Sequence, residues 1–265
     1  MRIRFKATAE IVIVWLLVVL GFKAFRVSLL GAWEDRVLGH YLLEYLLVLG
    51  TPLVWLLVTR RRLATHGFSR ADGHNQVRTL VTGVPAMLSI SAALHFLGWQ
   101  RWENALLISA LEVAILVALA CLLRPRSAAV TGGAMFACVA LAMAASRGSA
   151  LASTGDTIVR LIYGLAFVAL GEEALFRGYI QSRLNEAWGQ PYKLWGVRWG
   201  WGAVLTAFLF GLWHVLNPWN PFIGVWNLAW LWGLWTAPLG LILGYVRERT
   251  GAIWVPVLLH WLINL

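Results

Sequence analysis

Charged residues are scarce in this 265-residue chain: Asp, Glu, Lys and Arg make up 13% of it, against roughly a quarter in soluble domains. With 60% hydrophobic residues and a mean hydropathy of +0.72, a water-soluble domain is excluded. Cysteine is nearly absent. The two present, Cys121 and Cys138, lie in long apolar stretches, which excludes the disulfide framework of a small secreted domain and leaves them as lipid- or core-facing small hydrophobes. No fixed-period repeat and no low-complexity tract is visible, and the loop at residues 60–78 is the only long polar connection. The formal charge of +10 does not point to nucleic acid, because the 22 basic residues are dispersed between apolar blocks instead of forming one stripe.

What is present is a succession of apolar stretches, each near the roughly 20 residues needed to cross a bilayer. Nine are predicted, at about residues 7–24, 40–59, 80–98, 105–123, 128–146, 157–183, 199–216, 222–246 and 252–265, the last of them short. The first follows Arg2, Arg4 and Lys6 and could be mistaken for a secretory signal, but Lys23 and Arg26 at its end and eight further apolar blocks favour an uncleaved span. The fold class predicted is therefore all-α, a polytopic membrane helix bundle of about nine transmembrane helices, or eight if the first is cleaved or peripheral.

Basic residues resist translocation, so their distribution predicts orientation. With the N-terminus in the cytoplasm, Arg2, Arg4, Lys6, Arg60, Arg61, Arg62, Arg70, Arg78, Arg124, Arg126, Arg183, Lys193, Arg198, Arg247 and Arg249 lie inside, fifteen in all. Outside lie six: Lys23, Arg26, Arg36, Arg101, Arg147 and Arg160. Twelve of the seventeen tryptophans follow residue 187. An interfacial belt is the plain reading, and a tryptophan-lined substrate groove the sharper one.

Ionisable side chains are expensive in hydrocarbon and need a partner, a cavity or a function. Glu44, Glu112 and His95 have no helical partner and read as structural. Three pairs are different. Glu173 and Arg177, Phe210 and His214, and His260 and Asn264 are each four residues apart, so each pair shares one helical face. At 1.5 Å per residue, Glu172, His214, His260 and Asn264 all lie about 12–20 Å from the proposed cytoplasmic ends, one layer reached from three helices. Carboxylates, an arginine, two histidines and an amide at one depth form a hydrolytic set. Glu172 is suited to general base with His214, Glu173 to holding Arg177, and His260 and Asn264 to facing an oxyanion. These groups are expected to line one cavity closed to lipid and opening toward the cytoplasm.

The stretch GEEALFRGY at 171–179 resembles the EExxxR motif of the CPBP (CAAX protease and bacteriocin-processing, or Abi) family of glutamic-type intramembrane proteases. FGLWH at 210–214 is similar to that family's FxxxH motif, HWLIN at 260–264 to its HxxxN motif, and GLILGYVRERTGAI at 240–253 to its approach to the last motif. The resemblance covers residues 164–264. It implies a peptidase whose Glu172 and His214 activate water, whose His260 and Asn264 stabilise the oxyanion, and whose Glu173 and Arg177 support them. It also implies a membrane-embedded or lipidated protein or peptide as substrate and the lipid bilayer as partner. Location in the bacterial inner membrane fits the type of relative without a soluble domain. The chain reads as a single membrane domain, 1–265, with helices lacking assigned motifs over 1–150 and catalytic helices over 157–265.

Two alternatives accompany this reading. Glu172, His214 and His260 are of the types that bind a catalytic zinc, although no HExxH helix is present; without zinc, no cofactor is expected. A non-catalytic immunity protein or a proton-coupled transporter is the other, although the paired halves of a transporter are not evident.

Overall fold

The computed structural model describes residues 2–39, 41–69, 73–123, 161–194 and 196–264. The predicted span at 128–146 and Cys138 lie outside the described residues. Helix α1, Arg2–Arg26, closes with Lys23 and Arg26 in its last turn, where cations complement the terminal carbonyls. A short helix α2, Leu29–Leu38, is started by the Ser28 side chain accepting from the Gly31 N–H at 3.1 Å and stopped by Gly39 at φ 63°. It was not expected from the sequence. Then come α3, Leu42–Val58, α4, Gly73–Leu97, and α5, Trp102–Leu122. The polar residues 59–69 between α3 and α4 include a 3₁₀ turn, Leu63–His66.

The C-terminal half opens with a continuous helical run, residues 164–188 (α6). In it a four-residue α segment, Leu170–Glu173, sits between two wider π stretches, Gly164–Ala169 and Ala174–Gln181. Helices α7, Trp201–Val215, α8, Trp230–Thr250, and α9, Trp254–Ile263, follow. Between α6 and α7 lies an antiparallel hairpin, β1 Tyr192–Leu194 and β2 Val197–Trp199, a small departure from the all-α expectation. The span placed at 222–246 begins eight residues later. Pro218 and Pro221 cannot continue a helix, Gly224 is left-handed at φ 69°, and Asn220 caps the Phe222 N–H and pairs with Val225.

Among the described residues, Ile3–Arg26, Gly73–Leu97 and Trp102–Leu119 are long and apolar enough to cross a membrane, and Leu42–Val58, Trp201–Val215 and Trp254–Ile263 are shorter apolar helices. The bundle is helical and of membrane type. A count of nine spans is not established.

Polar contacts fix the direction of each helix. Near the start of α1, the Glu10 carboxylate accepts from Arg61 just past α3, from Arg183 late in α6 at 3.1 Å, from Tyr179 at 3.0 Å and from Trp55 at 3.0 Å. At the other end of α1, Lys23 donates to the Asn217 carbonyl beyond α7 at 2.8 Å, and Arg26 forks onto Glu44 in the first turn of α3. Asn75 at the start of α4 donates to the Arg249 carbonyl, and Arg249 to the Leu123 carbonyl after α5. The α1 N-terminus therefore shares one end of the bundle with the end of α3, the start of α4, and the ends of α5, α6 and α8.

Helices α7 and α8 approach closely through small residues, as helices do in lipid where no hydrophobic force draws them together. A Cβ on Gly211 would stand 2.9 Å from the Gly233 carbonyl, and one on Gly233 would stand 2.8 Å from the Gly211 carbonyl and overlap Val215. Because a backbone carbonyl forms part of each contact, shifting the Val215 side chain alone does not make room for a methyl group on Gly233. Gly233→Ala is expected to lower stability by about 1–3 kcal/mol, read as a fall in thermal midpoint in detergent, whereas Gly50→Ala, with open space around it, should leave the midpoint near the native value.

Candidate active site

All six residues predicted for the site come together. Residues 171–182 of α6 are buried without exception, so neither carboxylate of the Glu172–Glu173 pair is solvated at a helix end. The π stretches on either side place the two glutamates and Arg177 at an irregular point of the helix, of the kind that recurs at functional sites.

Glu173 and Arg177 are both fully buried and joined Nη1 to Oε1 at 2.7 Å. The guanidinium also donates to the Gly240 carbonyl of α8 at 3.1 Å, and its carbon lies 4.4 Å over the Phe210 ring. The same Oε1 of Glu173 is 2.8 Å from Nδ1 of His260 on α9. A carboxylate accepts, so Nδ1 carries the proton and Nε2 points onward to Glu172 Oε2 at 3.8 Å, within reach of a bridging molecule. Glu173 thus orients His260 as well as holding the arginine. The sequence assigned it only the second task.

Glu172 Oε1 accepts from the Trp213 indole at 3.3 Å, while Oε2 is buried with no hydrogen-bond partner. On α7, His214 Nδ1 lies 2.9 Å from the Phe210 carbonyl. A carbonyl can only accept, so Nδ1–H donates and Nε2 keeps its lone pair. Phe210 packs between the histidines, its ring 4.7 Å from His214 and 5.7 Å from His260, which gives the FxxxH phenylalanine a spacing role.

Glu172, His214, His260 and Asn264 line one cavity of about 840 Å³. Glu173 and Arg177 stand behind its wall. Phe22, Arg26, Tyr45, Trp99, Tyr163 and Trp232 are also in the lining, and Trp99 and Trp232 pack ring to ring at 5.3 Å. These aromatic residues, with Trp213, escaped the sequence reading. Only the tryptophan-groove alternative pointed toward them, since nothing in a single apolar span tells a pocket wall from a lipid-facing surface.

The cavity does not open where expected. Its lining comes from the end of α1, the start of α3, the residues after α4, the end of α7, the start of α8 and the residue after α9, the end opposite the α1 N-terminus. A cytoplasmic N-terminus and a cavity opening toward the cytoplasm, both expected from the sequence, therefore do not hold together. Depth alone could not decide this, because groups near mid-membrane are about equally far from both ends.

Of the residues that read as structural, Glu44 is tied to Arg26, His95 is exposed, and Glu112 is buried with both carboxyl oxygens lacking a hydrogen bond. Among the described residues no group of three His, Cys, Asp or Glu side chains is arranged to hold a metal ion.

A buried polar site of paired carboxylates and histidines in membrane helices is the kind of site that intramembrane hydrolases require. Residues 154–265 match the family model described as type II CAAX prenyl endopeptidase, Rce1-like. That model is of the CPBP/CAAX protease family, a family of proteases, so over this segment the chain is similar to that family, and the apolar helices accord with an integral membrane protein. Residues 1–153 lie outside the match. No curated protein and no solved structure matches the chain.

Removing Arg177 would leave Glu173 as a buried carboxylate without its cation, which costs about 3–5 kcal/mol. Arg177→Met is expected to lose at least that much stability and Glu173→Gln less, and the double variant should recover part of the loss. A double-mutant cycle of thermal midpoints measures this, and additive effects would show that the pair is not coupled.

Proposed function

We propose that this chain is an intramembrane endopeptidase that hydrolyses a peptide bond of a membrane-associated protein or peptide. The observation that supports this most is the single cavity in which Glu172, His214, His260 and Asn264 meet from three helices and the end of the chain. A water molecule between Glu172 Oε2 and His214 Nε2 would meet two proton acceptors, since His214 Nδ1–H is committed to the Phe210 carbonyl. As Glu172 takes the proton, the hydroxide oxygen bonds to the scissile carbonyl carbon. His260, held by Glu173 through Nδ1, and the Asn264 amide face the oxyanion, where preorganised donors act most strongly. The C–N bond then breaks, and the proton held by Glu172 passes to the leaving amine.

Trp213 keeps one Glu172 oxygen engaged so that the other faces the cavity. The aromatic lining excludes water and suits an apolar stretch of polypeptide. The transport alternative has less support among the described residues: Glu44 is bound to Arg26, and neither Glu44 nor Glu112 lines the cavity.

Glu172→Gln keeps the shape and removes the base, so cleavage should be lost while substrate binding persists. Asn264→Ala should lower kcat by about 10²- to 10³-fold, as for one oxyanion donor. Membrane peptidomes from cells carrying the native chain and each variant read both effects, and undiminished cleavage by Glu172→Gln would move the role to another group.

Activity should also survive metal-free purification and exhaustive chelation, because no ligand bond is needed to generate the nucleophile. Elemental analysis of the active protein tests the same point. Stoichiometric zinc whose removal abolishes activity and whose return restores it would instead make water ionisation at a metal the mechanism.

A further inference from the structure

Two independent features of the bundle divide its ends. The first is the cavity mouth. Arg26, Tyr45, Trp99, Asn217, Ala229 and Asn264 all belong to helix termini or loops at the end opposite the α1 N-terminus. The second is the distribution of charge. At the α1 N-terminal end the described residues include Arg4, Lys6, Arg60, Arg61, Arg62, Arg78, Arg183, Lys193, Arg198, Arg247 and Arg249, against the acids Glu10, Glu186 and Glu248. At the mouth end the described basic residues are Lys23, Arg26, Arg36 and Arg101, balanced by Glu34, Asp35, Glu44 and Glu103.

Lysine and arginine near span ends are retained in the cytoplasm, so the end crowded with them is the cytoplasmic one. This assignment needs neither a span count nor the segment between α5 and α6, because the contacts of Glu10, Lys23, Asn75 and Arg249 already place the helix ends. The cavity and the cytoplasm are then on opposite sides.

We infer that the cavity takes its substrate from the non-cytoplasmic side of the membrane, so that the cleaved segment belongs to an exported or outward-anchored protein. The substrate part of this inference rests on the peptidase reading above. The mouth supports an apolar polypeptide arriving from the outer leaflet. Phe22, Tyr45, Trp99 and Trp232 present ring surface to the cavity, and Arg26 stands at its edge with its charge matched by Glu44. A segment entering from the cytoplasm would instead meet the Glu10 cluster and the contacts of Gln181, Asn185 and Gln190 with Glu248, which tie α1, α3, α6 and α8 together.

The test is cysteine accessibility in intact cells, in the full chain with Cys121→Ser and Cys138→Ser. Ile223→Cys, in the exposed loop before α8, and Lys193→Cys, in the exposed hairpin, probe the two ends. Leu29→Cys, 93% exposed at the start of α2, and Tyr192→Cys, 43% exposed, repeat the two readings should either first variant fail to accumulate. A membrane-impermeant maleimide should label the Ile223 and Leu29 variants fully in intact cells, and the Lys193 and Tyr192 variants only after permeabilisation. The reverse pattern overturns the inference and leaves the peptidase reading intact. A second readout maps the cleavages lost in Glu172→Gln: they should fall in segments outside the cytoplasm, and cleavages in cytoplasmic segments would also overturn the inference. If labelling is as expected but no cleavage depends on Glu172, the peptidase reading fails and the proposed substrate with it, while the side of the mouth stands.

Discussion

The shared oxygen of Glu173 is the interaction on which the rest of the site depends. One buried carboxylate oxygen accepts from Arg177 on its own helix and from His260 on α9, and Arg177 in turn donates to the Gly240 carbonyl of α8. Three helices are thereby locked at one level around charges that hydrocarbon would not otherwise tolerate. His260 presents Nε2 to the cavity only because Nδ1 is held. Glu172 is freed from structural duty because its neighbour performs it.

That lock needs the backbone of α8 close to α6 and α7, and small residues make this possible. Gly240 lies against Ala207 of α7, where a Cβ would stand 3.0 Å from the Ala207 Cα. The same glycine supplies a carbonyl acceptor to Arg177. Close packing and hydrogen bonding therefore meet at one residue. The two ends of the bundle divide the remaining work: acid-centred clusters at Glu10 and Glu248 close the basic end, while aromatic rings line the open end.

The sequence carried a good deal of this. Paucity of charge and the apolar runs were enough for a helical membrane protein, because hydrocarbon admits few other spanning structures. Spacing by four put Glu173 with Arg177 and His260 with Asn264 on single faces, and the motif order marked the segment that the family match also covers. Less legible were short features set by local turn chemistry, such as α2 and the hairpin, and the late start of α8 after Pro218 and Pro221.

What the sequence determined by itself was membership in a class and the identity of the polar residues, since an ionisable group in an apolar helix is conspicuous wherever it falls. Only the tertiary structure decided how they divide the work. It put Glu173 behind the cavity wall and Glu172 on it, gave one Glu172 oxygen to Trp213, and opened the cavity at the end away from the α1 N-terminus. These outcomes depend on which helices touch and in which direction each runs, and periodicity along one helix contains no information about its neighbours.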